Sequence, residues 1–175
     1  MKRIFFTLLS LIIVGLLTMS FVAKNPQEQQ VAKSQITEGS VAPDFSLVAI
    51  DGKEVKLSDY KGKYVVLDFW GSWCGWCIKG MPEMKRMYEK YNDKLEIIGI
   101  ACGDKDNVWR ASVENLALPW VNVRDNERGS ENSVAGIYEI KGFPTKLIID
   151  PKGKIYKVVV GESPIFYQTI DELMK

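Results

Sequence analysis

Two cysteines stand three residues apart in the stretch Leu67-Asp68-Phe69-Trp70-Gly71-Ser72-Trp73-Cys74-Gly75-Trp76-Cys77. An apolar run precedes them and a helical pattern follows, so the pair falls at a strand-to-helix junction. Thiols at this spacing close into a disulfide with little backbone movement. The unpaired N–H groups of a helix's first turn favour the thiolate of the first sulfur. This is the layout of a dithiol redox site, with Cys74 as an exposed attacking sulfur of low pKa. Cys77, one turn in and more buried, would resolve the mixed disulfide. Asp68 interrupts the apolar run six residues before Cys74. A desolvated carboxyl there titrates above its usual range and suits a proton acceptor for Cys77. The plainer alternative is a polar strand-end residue bonded to lysine or water.

Composition narrows the chemistry further. The 175 residues contain no histidine, which removes Ser-His-Asp and Cys-His hydrolases, histidine-ligated zinc and histidine bases together. Three cysteines, Cys74, Cys77 and Cys102, are too few for a disulfide scaffold or a four-cysteine zinc site. With 23 basic and 22 acidic residues and no long basic run, nothing points to nucleic acid.

Lys2-Arg3 precede an apolar run from Ile4 to about Val22. This pattern reads as a signal peptide or an uncleaved signal anchor over residues 1–23. The basic end stays cytoplasmic and the remainder crosses, which places the domain outside the cytoplasm. Residues 24–40 are polar and glutamine-rich and read as a flexible linker. The domain is expected over 41–175.

Within it, Phe45 to Ala49 and Glu54 to Leu57 flank Asp51-Gly52 as a hairpin. Tyr64 to Trp70 and Leu95 to Ala101 read as buried strands, and Cys74 to Tyr91 as the helix between them. A helix over Asp106 to Leu116, a short strand over Trp120 to Val123 and a short helix over Asn132 to Tyr138 follow. Thr145 to Ile149 and Ile155 to Val160 flank Asp150-Pro151-Lys152-Gly153 as a second hairpin. Ser163-Pro164 opens a closing helix as cap and first residue. Strand–helix–strand units ending in a hairpin and a helix predict an α/β sandwich with a mixed sheet.

Four features in this order resemble the thioredoxin superfamily, and most closely its membrane-tethered extracytoplasmic TlpA/ResA-like thiol-disulfide oxidoreductases. They are Val66 to Trp70 followed by Trp73-Cys74-Gly75-x-Cys77; Pro82 in the following helix; Gly142-Phe143-Pro144-Thr145; and Ala42-Pro43-Asp44-Phe45 with its hairpin. The resemblance implies a thioredoxin-like three-layer sandwich, a mixed central sheet flanked by helices, with an N-terminal β-hairpin extension. It also implies disulfide exchange with envelope proteins, preferably as a reductant, for example in cytochrome c maturation. It implies a cis bond before Pro144 facing the disulfide, and no metal or other cofactor. The partners implied are protein disulfides, an upstream membrane electron donor and the membrane itself, through an uncleaved amino terminus. Two positions depart from the pattern: Trp76 stands where thioredoxins carry proline, and Asp68 where tethered relatives often carry an uncharged residue.

A cis X-Pro bond costs only about 0.5–1 kcal/mol relative to trans, and at Pro144 it would leave the Phe143 backbone available to a substrate strand. Trp73 and Trp76 would add an apolar docking surface beside the thiol, whereas Trp70, Trp109 and Trp120 read as core. Cys102 ends a strand at the sheet edge where α/β ligand sites gather; it is either a third redox thiol or a small buried apolar residue. Met81, Met84 and Met87 follow at helical spacing, and with the cysteines they admit a Cu(I)-chaperone or partner-docking reading; core filling is the plainer role. A peroxidase on this fold is disfavoured, because Gly71 and Leu67 occupy positions where peroxiredoxins carry Thr or Ser and proline.

Overall fold

The computed structural model describes residues 36–127 and 129–175. The expected signal or anchor lies outside the described residues. Among the described residues, no helix is long and apolar enough to cross a membrane.

Strands β1 (Ser46–Val48) and β2 (Glu54–Lys56) form the expected hairpin as a separate two-stranded sheet. The main sheet contains β3 (Tyr64–Trp70), β4 (Leu95–Cys102), β5 (Val121–Asp125), β6 (Thr145–Ile149) and β7 (Ile155–Val160), in the order β5-β4-β3-β6-β7. β3, β4 and β5 are parallel, β6 runs antiparallel to β3, and β7 runs antiparallel to β6. The helices are α1 (Gly75–Tyr91), α2 (Asp106–Asn115), the single turn α3 (Val134–Ile137) and α4 (Pro164–Leu173). This is the mixed, helix-flanked thioredoxin-like sandwich, with its hairpin extension, that the element pattern and the resemblance imply.

The central position of β3 explains its apolar sequence: every residue from Val65 to Trp70 is buried, as a strand covered on both faces requires. Alternation along the strand then builds two cores. Val66 and Trp70 pack with Met81, Met84 and Met87 of α1, Trp109 of α2 and Phe166 and Ile170 of α4. Val65, Leu67 and Phe69 pack on the other face with Ile98, Ile100, Val123 and Tyr138. Trp70, Trp109 and Trp120 are all core residues.

The hairpin covers the free edge of β5. Ala49 bridges Val123, and the Ile50 N–H donates to the Asn122 carbonyl at 2.9 Å, so the edge is not left open to other chains. Tyr138 Oη donates to the Pro43 carbonyl at 2.6 Å and secures the segment leading into the hairpin. Packing begins ahead of residue 41. The Gly39 N–H donates to the Ile155 carbonyl, and the Ile155 N–H donates to the Ser40 carbonyl.

Helix ends follow local chemistry. Ser163 caps α4 by accepting the Ile165 N–H, with Pro164 at the first helical position. Pro82 sits inside α1, where it has no N–H to donate to Ile78.

Leu67 pairs in register with Ile98 and Leu147 and is fully buried. Leu67→Ala is expected to destabilise the domain by about 2–5 kcal/mol, read as a lowered urea midpoint with little change in slope.

Candidate active site

Cys74 occupies the N-cap position of α1, with extended backbone (φ −96°, ψ 94°). Its Sγ accepts the Cys77 N–H at 3.2 Å. An orphan donor of the helix's first turn therefore points at the sulfur, a geometry that stabilises negative charge there once the disulfide opens. Cys74 and Cys77 are joined by a disulfide with Cα atoms 5.3 Å apart. In this state Cys74 is only 7% exposed and Cys77 3%, which corrects the expectation of an exposed first sulfur. The Cys74 sulfur is turned inward by its bond to Cys77 and by the N–H it accepts. Beside it, Trp73 and Trp76 are 45% and 64% exposed, and Lys79 Nζ lies 5.0 Å from the Trp76 ring centroid.

The loop carrying Cys74 is clamped to the end of β4. The Ser72 N–H and hydroxyl donate to the two Asp104 carboxylate oxygens at 2.9 and 2.6 Å. Trp73 Nε1 donates to the Cys102 carbonyl at 3.0 Å. Gly71 permits this arrangement, since a Cβ there would stand 2.4 Å from Trp73 Nε1. The Phe143–Pro144 peptide is cis. The Phe143 ring meets Trp73 edge-to-face, with centroids 5.0 Å apart, and the Pro144 carbonyl accepts the Gly161 N–H at 2.7 Å. Trp73, Phe143 and the two cysteines are thus brought to one sheet edge, at the carboxyl ends of β3 and β4.

Cys102 ends β4 at that edge, but alternation sends its side chain to the opposite face, into the core with Tyr138 and Val134. It packs as a small apolar residue, away from the disulfide. Met81, Met84 and Met87 are at most 2% exposed within the core under α1. Among the described residues, no cluster of three or more Cys, Asp or Glu side chains could hold a metal.

Asp68 lies on the face of β3 shared by Val66 and Trp70, which pack with Cys77. It is 1% exposed, and its Oδ1 has no hydrogen-bond partner. Burial pushes its pKa up from 3.8 to about 6; the Lys146 charge opposes this and the Glu162 charge adds to it. Its direct cross-strand neighbour on β6 is Lys146, which is 2% exposed. Lys146 directs its ammonium to Glu162 Oε2 at 2.6 Å.

Asp104, Lys146 and Glu162 escaped the sequence reading. Lys146 carried the same signal as Asp68, a charge inside an apolar strand. Asp104 could have been found as the carboxylate two residues past a strand that ends beside the active-site strand.

A disulfide at the start of the helix in a parallel βαβ unit, opposed by a cis-proline loop, defines the class of thioredoxin-fold dithiol proteins. Residues 38–158 match the AhpC/TSA family. Thiol-disulfide oxidoreductase ResA of Bacillus subtilis (strain 168) is 36% identical over 130 residues, covering 74% of this chain and 70% of that one. Its counterpart from Geobacillus thermodenitrificans is 35% identical over 130 residues, covering 74% and 72%. The thioredoxin domain of a thiol-disulfide oxidoreductase from Bacteroides vulgatus superposes with a TM-score of 0.70 at 31% identity, covering 79% of this chain and 99% of that one. A thiol:disulfide interchange protein from Bacteroides sp. gives 0.71 at 31% identity, covering 79% and 90%. The chain belongs to the thioredoxin-like AhpC/TSA family, and within it to the ResA-type thiol-disulfide oxidoreductases.

The raised Asp68 pKa carries a stability signature. Between pH 3.8 and about 6 the unfolded carboxyl ionises first while the folded one keeps its proton, so stability falls across that window as pH rises. The loss amounts to roughly 2–3 kcal/mol across that window. Asp68→Asn is expected to abolish this loss, so that oxidised wild type and variant diverge in denaturant midpoint from pH 4 to 7. Parallel curves across that range would show that Asp68 is not the buried acid.

Proposed function

We propose that this protein reduces disulfides of envelope proteins, with Cys74 as nucleophile, Cys77 as resolving thiol and Asp68 as proton acceptor. The observation that carries this reading is the Cys77 N–H aimed at Cys74 Sγ at the helix start, on the same core face as a buried carboxyl. In the reduced protein, the Cys74 thiolate attacks one sulfur of a substrate disulfide, and the other substrate sulfur leaves as a thiolate that takes a proton from water. Asp68 takes the Cys77 proton, the Cys77 thiolate attacks Cys74 Sγ, and the second substrate sulfur departs and is protonated by Asp68. The substrate gains two electrons and two protons, and the Cys74–Cys77 disulfide forms. An upstream membrane dithiol donor then restores the reduced pair.

Docking falls to the exposed Trp73 and Trp76 and the half-buried Phe143, an apolar surface next to the disulfide. The substrate-binding role expected of Pro144 is limited to shaping that loop, since Pro144 itself is buried. The basic and apolar amino terminus supports an extracytoplasmic location, as a cleaved signal or a membrane anchor. Within that compartment, reduction of cysteines for cytochrome c maturation is the role we favour, on the resemblance to the membrane-tethered oxidoreductases. Peroxidase chemistry is disfavoured by packing as well as by sequence: a Thr or Ser at position 71 would drive its Cβ into the Trp73 indole.

Cys77→Ser is expected to accumulate a mixed disulfide between Cys74 and substrate proteins, visible as non-reducing gel adducts; Cys74→Ser should accumulate none. Equilibration of the purified domain with glutathione buffers should give a Cys74–Cys77 potential nearer −270 than −120 mV. A potential at the oxidising end would reverse the direction assigned here.

A further inference from the structure

Asp68 shares its surroundings with one lysine, Lys146, and a second carboxylate, Glu162. Asp68 and Lys146 are direct cross-strand partners on one face of the sheet, where such neighbours stand about 4.5–5.5 Å apart at Cβ. An ion pair between them is the arrangement that the strand register invites. It is not the one adopted: Lys146 Nζ goes to Glu162 Oε2 at 2.6 Å, and Asp68 Oδ1 is left without a partner.

Glu162 follows β7 and is held on three sides. Its other oxygen accepts the Tyr167 hydroxyl of α4. Its carboxylate also fills the place of a missing side chain on α1, since a Cβ on Gly80 would stand 2.3 Å from Oε2 and 2.6 Å from the carboxylate carbon. Gly80 comes three residues after Cys77, and helix positions three apart share a face at about 5–6 Å between Cβ atoms. The Glu162 carboxylate therefore occupies the side-chain site one turn beyond the resolving cysteine. Lys146 is further fixed 5.7 Å from the Phe166 ring centroid.

The charged and titratable groups around Asp68 come from each element packed against it. Lys146 lies on β6, Glu162 lies beyond β7, Tyr167 belongs to α4 and Cys77 to α1, while β4 contributes only Gly99 in register. Glu83 of α1 bears on Tyr167. Lys146 is buried whereas Glu162 is 21% exposed. The Lys146 charge opposes the upward push of burial on Asp68, so the partner the lysine takes sets how strongly it does so.

We propose that Glu162, clamped between Tyr167 and Lys146 in the space left by Gly80, is a positioning residue for the exchange reaction. It holds the Lys146 ammonium away from Asp68 and so keeps Asp68 as the protonatable group beside Cys77. The inference rests on the proton-acceptor reading of Asp68 for its kinetic consequence, but its electrostatic content can be measured separately.

The test is a carbon-13 NMR titration of the Asp68 carboxyl in the oxidised protein, in wild type, Glu162→Gln and Lys146→Gln. Glu162→Gln removes one charge and releases the lysine to Asp68. The Asp68 midpoint is then expected to fall by about one pH unit or more, in line with a carboxylate gaining a cation. Lys146→Gln should move it upward, and this second variant decides the matter if the first does not fold. A Glu162→Gln midpoint within about 0.3 units of wild type or above it, or a Lys146→Gln midpoint that falls, would overturn the proposal. In the kinetic arm, the pH profile of release from the Cys74 mixed disulfide should shift to lower pH in Glu162→Gln and lose its limb in Asp68→Asn. A limb that survives Asp68→Asn removes the proton-acceptor reading alone, leaving the titration to judge Glu162.

Discussion

The bond from the Cys77 N–H to Cys74 Sγ at 3.2 Å ties the chemistry of this protein to its architecture. It exists because α1 begins at Gly75 and leaves Cys74 as the capping residue, and a helix can begin there only if the preceding loop is held. That hold is the pair of hydrogen bonds from Ser72 to Asp104 and the indole bond from Trp73 to the Cys102 carbonyl. Both anchors sit at or just beyond the end of β4, which lies parallel to β3. The reactive turn is thus fastened to the neighbouring strand of the sheet as well as to its own helix, whose Ile78 N–H donates to the Cys74 carbonyl.

A second constraint is the charge kept beneath that turn. Isolated buried carboxylates are costly, and proteins resolve the cost by pairing or by protonation. Here Glu162 is paired with Lys146, whereas Asp68 is raised by burial to about 6. The two carboxylates thus sit in different surroundings, Asp68 at 1% exposure and Glu162 at 21% beside its lysine. Keeping Asp68 buried costs folding stability above that pH.

Much of this was readable from the chain. The pair at 74 and 77, the apolar run broken by Asp68, the Asp150 to Gly153 turn and the Ser163-Pro164 cap are local signals, and the elements they announce form within one or two residues of the expected bounds. Local signals ran out where contacts are distant in sequence. Cys102 could be placed at the sheet edge, but only the strand's exact phase turned its side chain to the face away from the disulfide. Asp104 sat in a stretch without pattern, and its role appears only once β3 and β4 end side by side.

Glu162 marks the limit most clearly, because it reaches Gly80 from 82 positions along the chain, and no periodicity or motif relates the two. Residue type and short-range spacing determined where the strands, the reactive helix and the thiols would lie, since backbone propensities and the helix's unpaired N–H groups act over a few residues. Only the folded sheet decided which charged side chains would share a dry interior and which partner Lys146 would take. Burial and Coulomb interactions depend on distances through space, and those are settled by packing.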